Sequence, residues 1–185
     1  MSKDIVTDPP EISQVKTVEV PSWVNAAWKK LNTHKKLESA ISMYMEGLRM
    51  EIDHPSMALV SFVSAIEVVS LMVFHPNRCS ECGNYMEISR RFRATLALVA
   101  GDTTAEYLRP AYDSRSRTVH RGALYGGELI PGVSPFSMFM VSPESEFQIG
   151  MVRGIRSAAR SLLLMAVQGT LPVRSRLRSP QSGTH

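Results

Sequence analysis

The amino-acid sequence predicts an all-α protein. Apolar residues recur at intervals of three and four along most of the chain, which is the spacing of one helix face, and no strong alternation typical of strands is found. Glycine and proline fall at the edges of these periodic segments, where they end or begin helices. With 185 residues, of which 44% are hydrophobic and 21% charged, the chain can form one core. We therefore expect a single antiparallel helical bundle.

Three helices are predicted in the N-terminal half, after a polar, proline-containing arm at residues 1–21. Apolar spacing within residues 23–31 predicts a short first helix. A second is predicted over residues 33–52, and its apolar positions are Leu37, Ile41, Tyr44, Met45 and Leu48. The third, SMALVSFVSAIEVVSLMVF, follows Pro55 and is apolar on nearly all sides, so we expect it to be the central helix.

The C-terminal half is predicted to contain further helices separated by glycine and proline. MEISRRFRATLALVAG should form a helix that ends at Gly101, and the next helical stretch should be interrupted at Pro110 and closed at Gly122. Residues 123–141 are rich in glycine and proline and should form a long loop or a small hairpin. EFQIGMVRGIRSAARSLLLMAVQG should form the last helix.

These elements divide the chain into three parts. Residues 1–21 are expected to be a flexible N-terminal arm, and residues 22–171 one helical domain. Residues 172–185 form a tail that contains arginine, is low in apolar residues and is expected to be disordered.

The basic charge of the protein is concentrated at its C-terminal end. The net charge is +4, but residues 1–142 carry fifteen basic and fifteen acidic side chains. Residues 143–185 carry six arginines and two glutamates. Because an excess of arginine favours acidic partners, we expect the last helix and the tail to recruit RNA.

The composition predicts a cytoplasmic protein. Cys79 and Cys82 are the only cysteines, too few for a disulfide framework. The N-terminus lacks the apolar segment of a secretion signal, and no stretch is expected to provide the ~20 apolar residues that span a bilayer. No membrane partner is therefore predicted.

One loop carries residue types that could bind zinc. His75, Cys79 and Cys82 form an H-x3-C-x2-C pattern. Structural zinc sites normally have four ligands, and a second cysteine pair does not exist in the chain. The alternative is a pair of reduced thiols in a turn, and we predict no metal and no other cofactor.

The densest group of polar side chains lies in YDSRSRTVHRG, residues 112–122. Arginine binds phosphate through paired hydrogen bonds, and histidine can take a proton from a ribose 2′-OH near neutral pH. Arg115 and His120 are therefore candidate catalytic residues for RNA cleavage without a metal. They lie about 140° apart around an ideal helix, so two copies of the chain would be needed to form one cleft.

The same stretch resembles a known family. Its Tyr112, Arg115, Val119, His120 and Gly122 resemble the R-x4-H motif of HEPN domains, in particular the Apea-like branch, and the acid-containing run ALVSFVSAIEVVSLM is similar to the family's second core helix. The resemblance implies an all-α bundle, a homodimer, and a metal-independent endoribonuclease that leaves cyclic phosphate ends. It implies Arg115 and His120 as the catalytic pair, with Ser116 in the polar position after the arginine.

Each of these roles has a structural alternative. His120 could stabilise a helix C-terminus, and Arg115 could be a solvated or ion-paired residue. Glu67 is either the family's acid that positions the arginine or a residue paired with another base. Arg117 and Arg121 are expected to contact the RNA backbone. Tyr112 and Val119 share a helical stripe and are expected in the core. The functional prediction therefore rests on Arg115, His120, Ser116, Glu67, Arg117 and Arg121.

Three functions remain open from the sequence. The first is a dimeric endoribonuclease of the HEPN type, in phage defence or a stress response. The second is a non-catalytic HEPN-like module that binds RNA or a partner protein from the same system. The third is a helical scaffold that dimerises through methionine and aromatic surfaces.

Overall fold

The structure is a computed structural model of the chain, and it describes residues 19–74, 88–124 and 143–172. Within these ranges the chain forms six helices packed as a bundle, which confirms the predicted all-α class. In chain order they are α1 (Trp23–Leu31), α2 (Lys35–Met50), α3 (Pro55–Val73), α4 (Ile88–Tyr107), α5 (Pro110–Arg121) and α6 (Pro143–Gln168). Most of the predicted arm, the loop before α6 and the tail lie outside the described residues.

Helix α3 is the centre of the bundle, as its apolar sequence predicts. Pro55 occupies its first turn, where the missing N–H costs no helical hydrogen bond. The helix packs against α2, α4, α5 and α6. Its fully buried large side chains, which contribute most to burial of apolar surface, are Leu59, Phe62, Val63, Ile66 and Val69.

By length and composition, α3 could also cross a membrane. It has 19 residues and a mean hydropathy of 2.0, which contradicts the expectation that no segment is sufficiently long and apolar. In this fold 61% of its most apolar 18-residue stretch is buried inside the bundle. The core helix of a helical bundle has the same apolar composition as a membrane-spanning helix, because both are surrounded by apolar groups on all sides.

Helices α2 and α3 are joined by a short turn and run antiparallel in close contact. The Lys36 Nζ donates to the Leu71 carbonyl at one end of the pair, and the Tyr44 and Phe62 rings lie 5.5 Å apart further along. A Cβ atom added at Gly47 would lie 2.5 Å from Cε1 of Phe62, so only glycine fits this position. Gly47 therefore sets the close approach of the two helices.

The buried face of α2 differs in part from the predicted one. Leu37 is fully buried as predicted, but Met45 and Leu48 are exposed, and Ala40 and Gly47 are buried. The sequence pattern gives weight to large apolar side chains, whereas a close helix contact selects small ones. The two large side chains consequently lie at the edge of the contact.

The three predicted backbone breaks are confirmed. Helix α4 is interrupted at Gly101, whose φ of 76° and ψ of 164° are not helical. Helix α5 begins at Pro110 and ends at Gly122, whose φ of 62° is left-handed and whose N–H donates to the Thr118 carbonyl. Positive φ values favour glycine because a Cβ atom would be strained there.

Polar contacts join helix α6 to the N-terminal part of the fold, at α1 and just after α2. The Arg156 Nη1 donates to both carboxylate oxygens of Glu51, at 2.9 and 2.7 Å. The Lys30 Nζ of α1 donates to the Ala166 carbonyl at 2.8 Å. Arg156, counted among the arginines expected to recruit RNA, thus has an intramolecular partner, whereas Arg153 and Arg160 are exposed.

Candidate functional site

The predicted polar stretch lies on α5, which packs against α3, α4 and α6. The side of α5 that faces the bundle presents small residues: Ala111, Ser114 and Thr118 are buried. This spacing of three and four residues is that of one helix face. The arginines and the histidine of the stretch consequently lie beside or opposite that face.

Arg115 forms an ion pair with Glu67. Its Nη2 lies 3.0 Å from Oε2 of the carboxylate, and the pair links α5 to the central helix. The side chain of Arg115 is 23% exposed and that of Glu67 is 17% exposed, so the pair lies at the edge of the bundle. Of the two alternatives for Glu67, the structure thus gives it Arg115 as its partner.

Tyr112 lies next to the ion pair of Arg115 and Glu67. Its ring lies 5.4 Å from the ring of Phe92, and its side chain hydrogen-bonds with that of Glu67. Tyr112 is half-buried, so the expected core packing is accompanied by a polar contact that the sequence pattern did not reveal. Burial and the neighbouring Glu67 raise the pKa of its hydroxyl.

Burial also dominates the electrostatics of Glu67. It raises the pKa of this carboxyl above its ordinary value, although Arg115, the Tyr112 hydrogen bond and Arg91 act in the opposite direction. Removing a carboxylate from water disfavours its charged form, while neighbouring cations favour it. The pKa of Glu67 is therefore raised by burial, and the arginines offset this rise only in part.

Arg91 of α4 is the second guanidinium in this cluster. It is only 9% exposed, and its charge acts on both Glu67 and Tyr112. The Nε atoms of Arg91 and Arg115 are both buried without a hydrogen-bond partner. We name Glu67, Arg91, Tyr112 and Arg115 the Glu67 cluster.

The other predicted site residues also lie on α5 but are not part of this cluster. His120 and Arg121 are exposed at its C-terminal end, and Ser116 is half-buried. Arg117 is exposed, and its Nη2 donates to the Ser114 hydroxyl at 3.2 Å. Among the described residues no hydrogen bond or ion pair joins His120 to Arg115, in line with their separation around the helix.

The expected burial of Val119 is wrong. The side chain is 51% exposed, beside His120 at the end of α5. A seven-residue interval returns to nearly the same helix face, but 3.6 residues per turn shift it by about 20° per heptad. Among the described residues, no neighbouring helix covers Val119 in the last turn of α5. Leu124 is 62% exposed just beyond it.

Comparisons with protein-family models, curated proteins and solved structures found no match. In the Glu67 cluster, the two guanidinium groups and the phenol can donate hydrogen bonds to an anion. The carboxylate of Glu67 holds Arg115 in place.

The candidate zinc residues His75, Cys79 and Cys82 lie outside the described residues. In the ranges that the structure does describe, no three His, Cys, Asp or Glu side chains are grouped as metal ligands. The prediction of no metal remains a prediction.

Arg91 is the residue of this cluster that the sequence does not predict. Helical periodicity carries the signal, since Arg91, Thr95 and Val99 are four residues apart and Thr95 is buried. The Thr95 hydroxyl donates to the Arg91 carbonyl within this face. An arginine on the buried face of an amphipathic helix requires a polar partner. Arg93, on the exposed face, can be solvated by water instead.

Proposed function

We propose that this protein is a metal-independent endoribonuclease that acts as a homodimer in the cytoplasm. The observation that carries the proposal is the ion pair between Arg115 and Glu67. It fixes the guanidinium of the R-x4-H motif at the edge of the bundle instead of leaving it as a mobile surface group. Positioned donors stabilise developing phosphate charge better than mobile ones, because they need no reorganisation during the reaction.

The proposed reaction uses the chemistry of RNA itself. His120 takes the proton of a ribose 2′-OH, and the oxygen attacks the adjacent phosphorus. The bond from phosphorus to the 5′ oxygen breaks, and the leaving oxygen takes up a proton. The products carry a 2′,3′-cyclic phosphate and a 5′-OH, and Arg115 stabilises the charge on the phosphate oxygens during transfer.

A second copy of the chain would complete the site. Arg115 and His120 are five residues apart, which corresponds to about 7.5 Å along the helix and about 140° around it. Across a two-fold axis, His120 of one copy could face Arg115 of the other. Support comes from the exposed Val119 and Leu124 next to His120, since apolar side chains are enriched in the centre of such interfaces.

A second function is favoured by the same ion pair. Because Glu67 already engages Arg115, and His120 lies apart from it, the chain could be a module that binds RNA or a partner protein without cleaving RNA. Arg117, Arg121 and the exposed Arg153 and Arg160 would then contact the RNA backbone, which carries no sequence information. Binding should weaken steeply with salt.

Cleavage of single-stranded RNA with analysis of the ends separates the two functions. The nuclease proposal predicts cyclic phosphate ends, no loss of activity with a chelator, and loss of at least about a hundredfold in rate on His120→Ala. His34→Ala is the matched control and should keep its activity. RNA binding without cleavage by the folded wild type would favour the binding module.

A mixing experiment tests whether two copies share the site. Arg115→Gln and His120→Ala should each be inactive alone. A heterodimer of the two has one site with both changes and one with neither, so a mixture should recover about a quarter of the wild-type activity. If each site lay within one chain, both sites of the heterodimer would be defective and mixing would recover nothing.

A further inference from the structure

The Glu67 cluster contains more positive than negative charge. Glu67 of α3 is paired with Arg115 and hydrogen-bonded with Tyr112 of α5. Arg91 of α4 directly precedes Phe92, whose ring lies 5.4 Å from that of Tyr112, and its charge acts on Glu67. Both guanidinium groups are permanently charged, and Glu67 is the one carboxylate that the described residues contribute to the cluster. In this partly desolvated region, an additional anion would restore neutrality.

The cluster also contains unused donors. The Nε atoms of Arg91 and Arg115 are buried and have no hydrogen-bond partner. Leaving a buried charged donor unpaired is costly, and structures rarely retain such donors without a reason. The two atoms belong to different helices, and Arg91 is nine-tenths buried, so they are not incidental surface groups.

We propose that Arg91 and Arg115 together bind a phosphate group through their unpartnered Nε–H donors. The inference deepens the proposed function, and rests on it only in naming an RNA phosphodiester as the natural source of the phosphate. Phosphate fits this arrangement because several oxygens accept charge-assisted hydrogen bonds at once. A planar guanidinium can donate from Nε to phosphate and from Nη2 to Glu67.

Access to the site differs between the two arginines. The side chain of Arg115 is 23% exposed although its Nε is buried, so a phosphate would enter from its side of the cluster and displace part of this side chain. Arg91 lies deeper and would contact the far side of the phosphate group. Glu67 also accepts a hydrogen bond from Tyr112, so the carboxylate would retain a partner if Arg115 turned partly toward the ligand.

The test is a titration of the ¹⁵N-labelled full chain, observed through the arginine Nε–Hε resonances. These are assigned by through-bond correlation to the backbone, so no variant is needed. Inorganic phosphate should shift the Arg91 and Arg115 resonances saturably, whereas chloride at equal ionic strength should not. Arg49, which is exposed on α2, provides the control resonance and should not move.

A second titration identifies the source of the phosphate. An oligoribonucleotide with 2′-O-methyl groups cannot be cleaved, and it should shift the same two resonances. A response to inorganic phosphate alone would overturn the RNA source. Absence of a saturable shift at Arg91 with either probe would overturn the two-arginine site. Because neither titration requires cleavage, an inactive protein that binds both probes would disprove the nuclease and leave the phosphate site standing.

Affinity measurements give an independent check. Arg91→Lys keeps the charge but removes Nε, and should weaken phosphate binding about tenfold or more. Arg49→Lys should leave the affinity unchanged. If Arg91→Lys does not fold, Arg115→Lys provides the same measurement at the more exposed arginine. Unchanged affinity in a folded Arg91→Lys protein would exclude the role of Arg91.

Discussion

Glu67 of α3 and Arg115 of α5 are 48 residues apart in sequence and 3.0 Å apart between Oε2 and Nη2. Both side chains are mostly buried. The pair therefore joins the central helix to the helix that carries the R-x4-H motif, and it links the stability of the fold to the chemistry of the candidate site.

The interaction within this pair should be measurable by a double-mutant cycle. With Glu67→Gln and Arg115→Gln, we expect a favourable coupling energy of about 1–3 kcal/mol, because the surroundings are partly desolvated. The ion pair of Glu46 with Arg49 is exposed and should give below about 0.5 kcal/mol. Urea denaturation of the four proteins in each cycle measures both values, and equal couplings would contradict the partial burial.

The stability of the protein should depend on pH through Glu67. Burial raises the pKa of this carboxyl in the folded state above the ordinary 4.5, so the folded protein binds the proton more tightly than the unfolded chain. This contribution to the free energy of unfolding is fully present below pH 4.5 and is lost as the pH rises through the raised folded value.

Glu67→Gln isolates this effect, because the amide resembles the protonated acid at every pH. The variant should become more stable relative to the wild type as the pH rises from about 4 to 7. Other carboxyls titrate in both proteins and cancel in the difference. Urea denaturation across this range measures it, and a difference that runs in the opposite direction would mean that Arg115 outweighs burial.

Gly47→Ala should destabilise the contact between α2 and α3. A Cβ atom there would lie 2.5 Å from the Phe62 ring, so we expect a loss of about 1–3 kcal/mol despite the higher helix propensity of alanine. Phe62→Leu in the same chain should recover part of the loss. Gly150→Ala is the control, because nothing lies within 4 Å of the new methyl group, and it should stabilise by up to about 1 kcal/mol.

Arg156 should contribute to stability and little to RNA binding. Its guanidinium is bound to Glu51, so Arg156→Met should lower the free energy of unfolding by about 0.5–1.5 kcal/mol. Arg160→Met removes an exposed charge, so it should weaken RNA binding and change the free energy of unfolding little. Thermal unfolding and salt-dependent RNA binding of the two variants test this division, and identical effects would contradict it.

The helices were predictable because their signals are local. Proline at the first turn of α3 and α5 and glycine at the two breaks act through the backbone of a few residues. The apolar run of α3 identified the central helix for the same reason. The face of α2 was harder to predict, because Ala40 and Gly47 are buried by the shape of α3 and not by their own hydrophobicity.

The candidate site was predictable in part. The sequence indicates the stretch around Arg115 and the isolated Glu67 as candidate site residues. Their pairing depends on how α5 packs on α3. Arg91 was missed because it lies among other arginines at the start of α4, and only its burial distinguishes it. Val119 was misplaced because a shared stripe predicts a common direction, whereas burial requires a neighbouring helix.

The break at Gly101 separates the two arginines of the Glu67 cluster along the chain. Arg91 precedes it on α4, and Arg115 follows it on α5, so the angle between the halves of α4 influences the span between the two guanidinium groups. Its φ of 76° is one that a residue with a side chain rarely adopts. A substitution at this glycine would therefore change the distance between the two guanidinium groups of the proposed anion site, although the glycine itself is not part of that site.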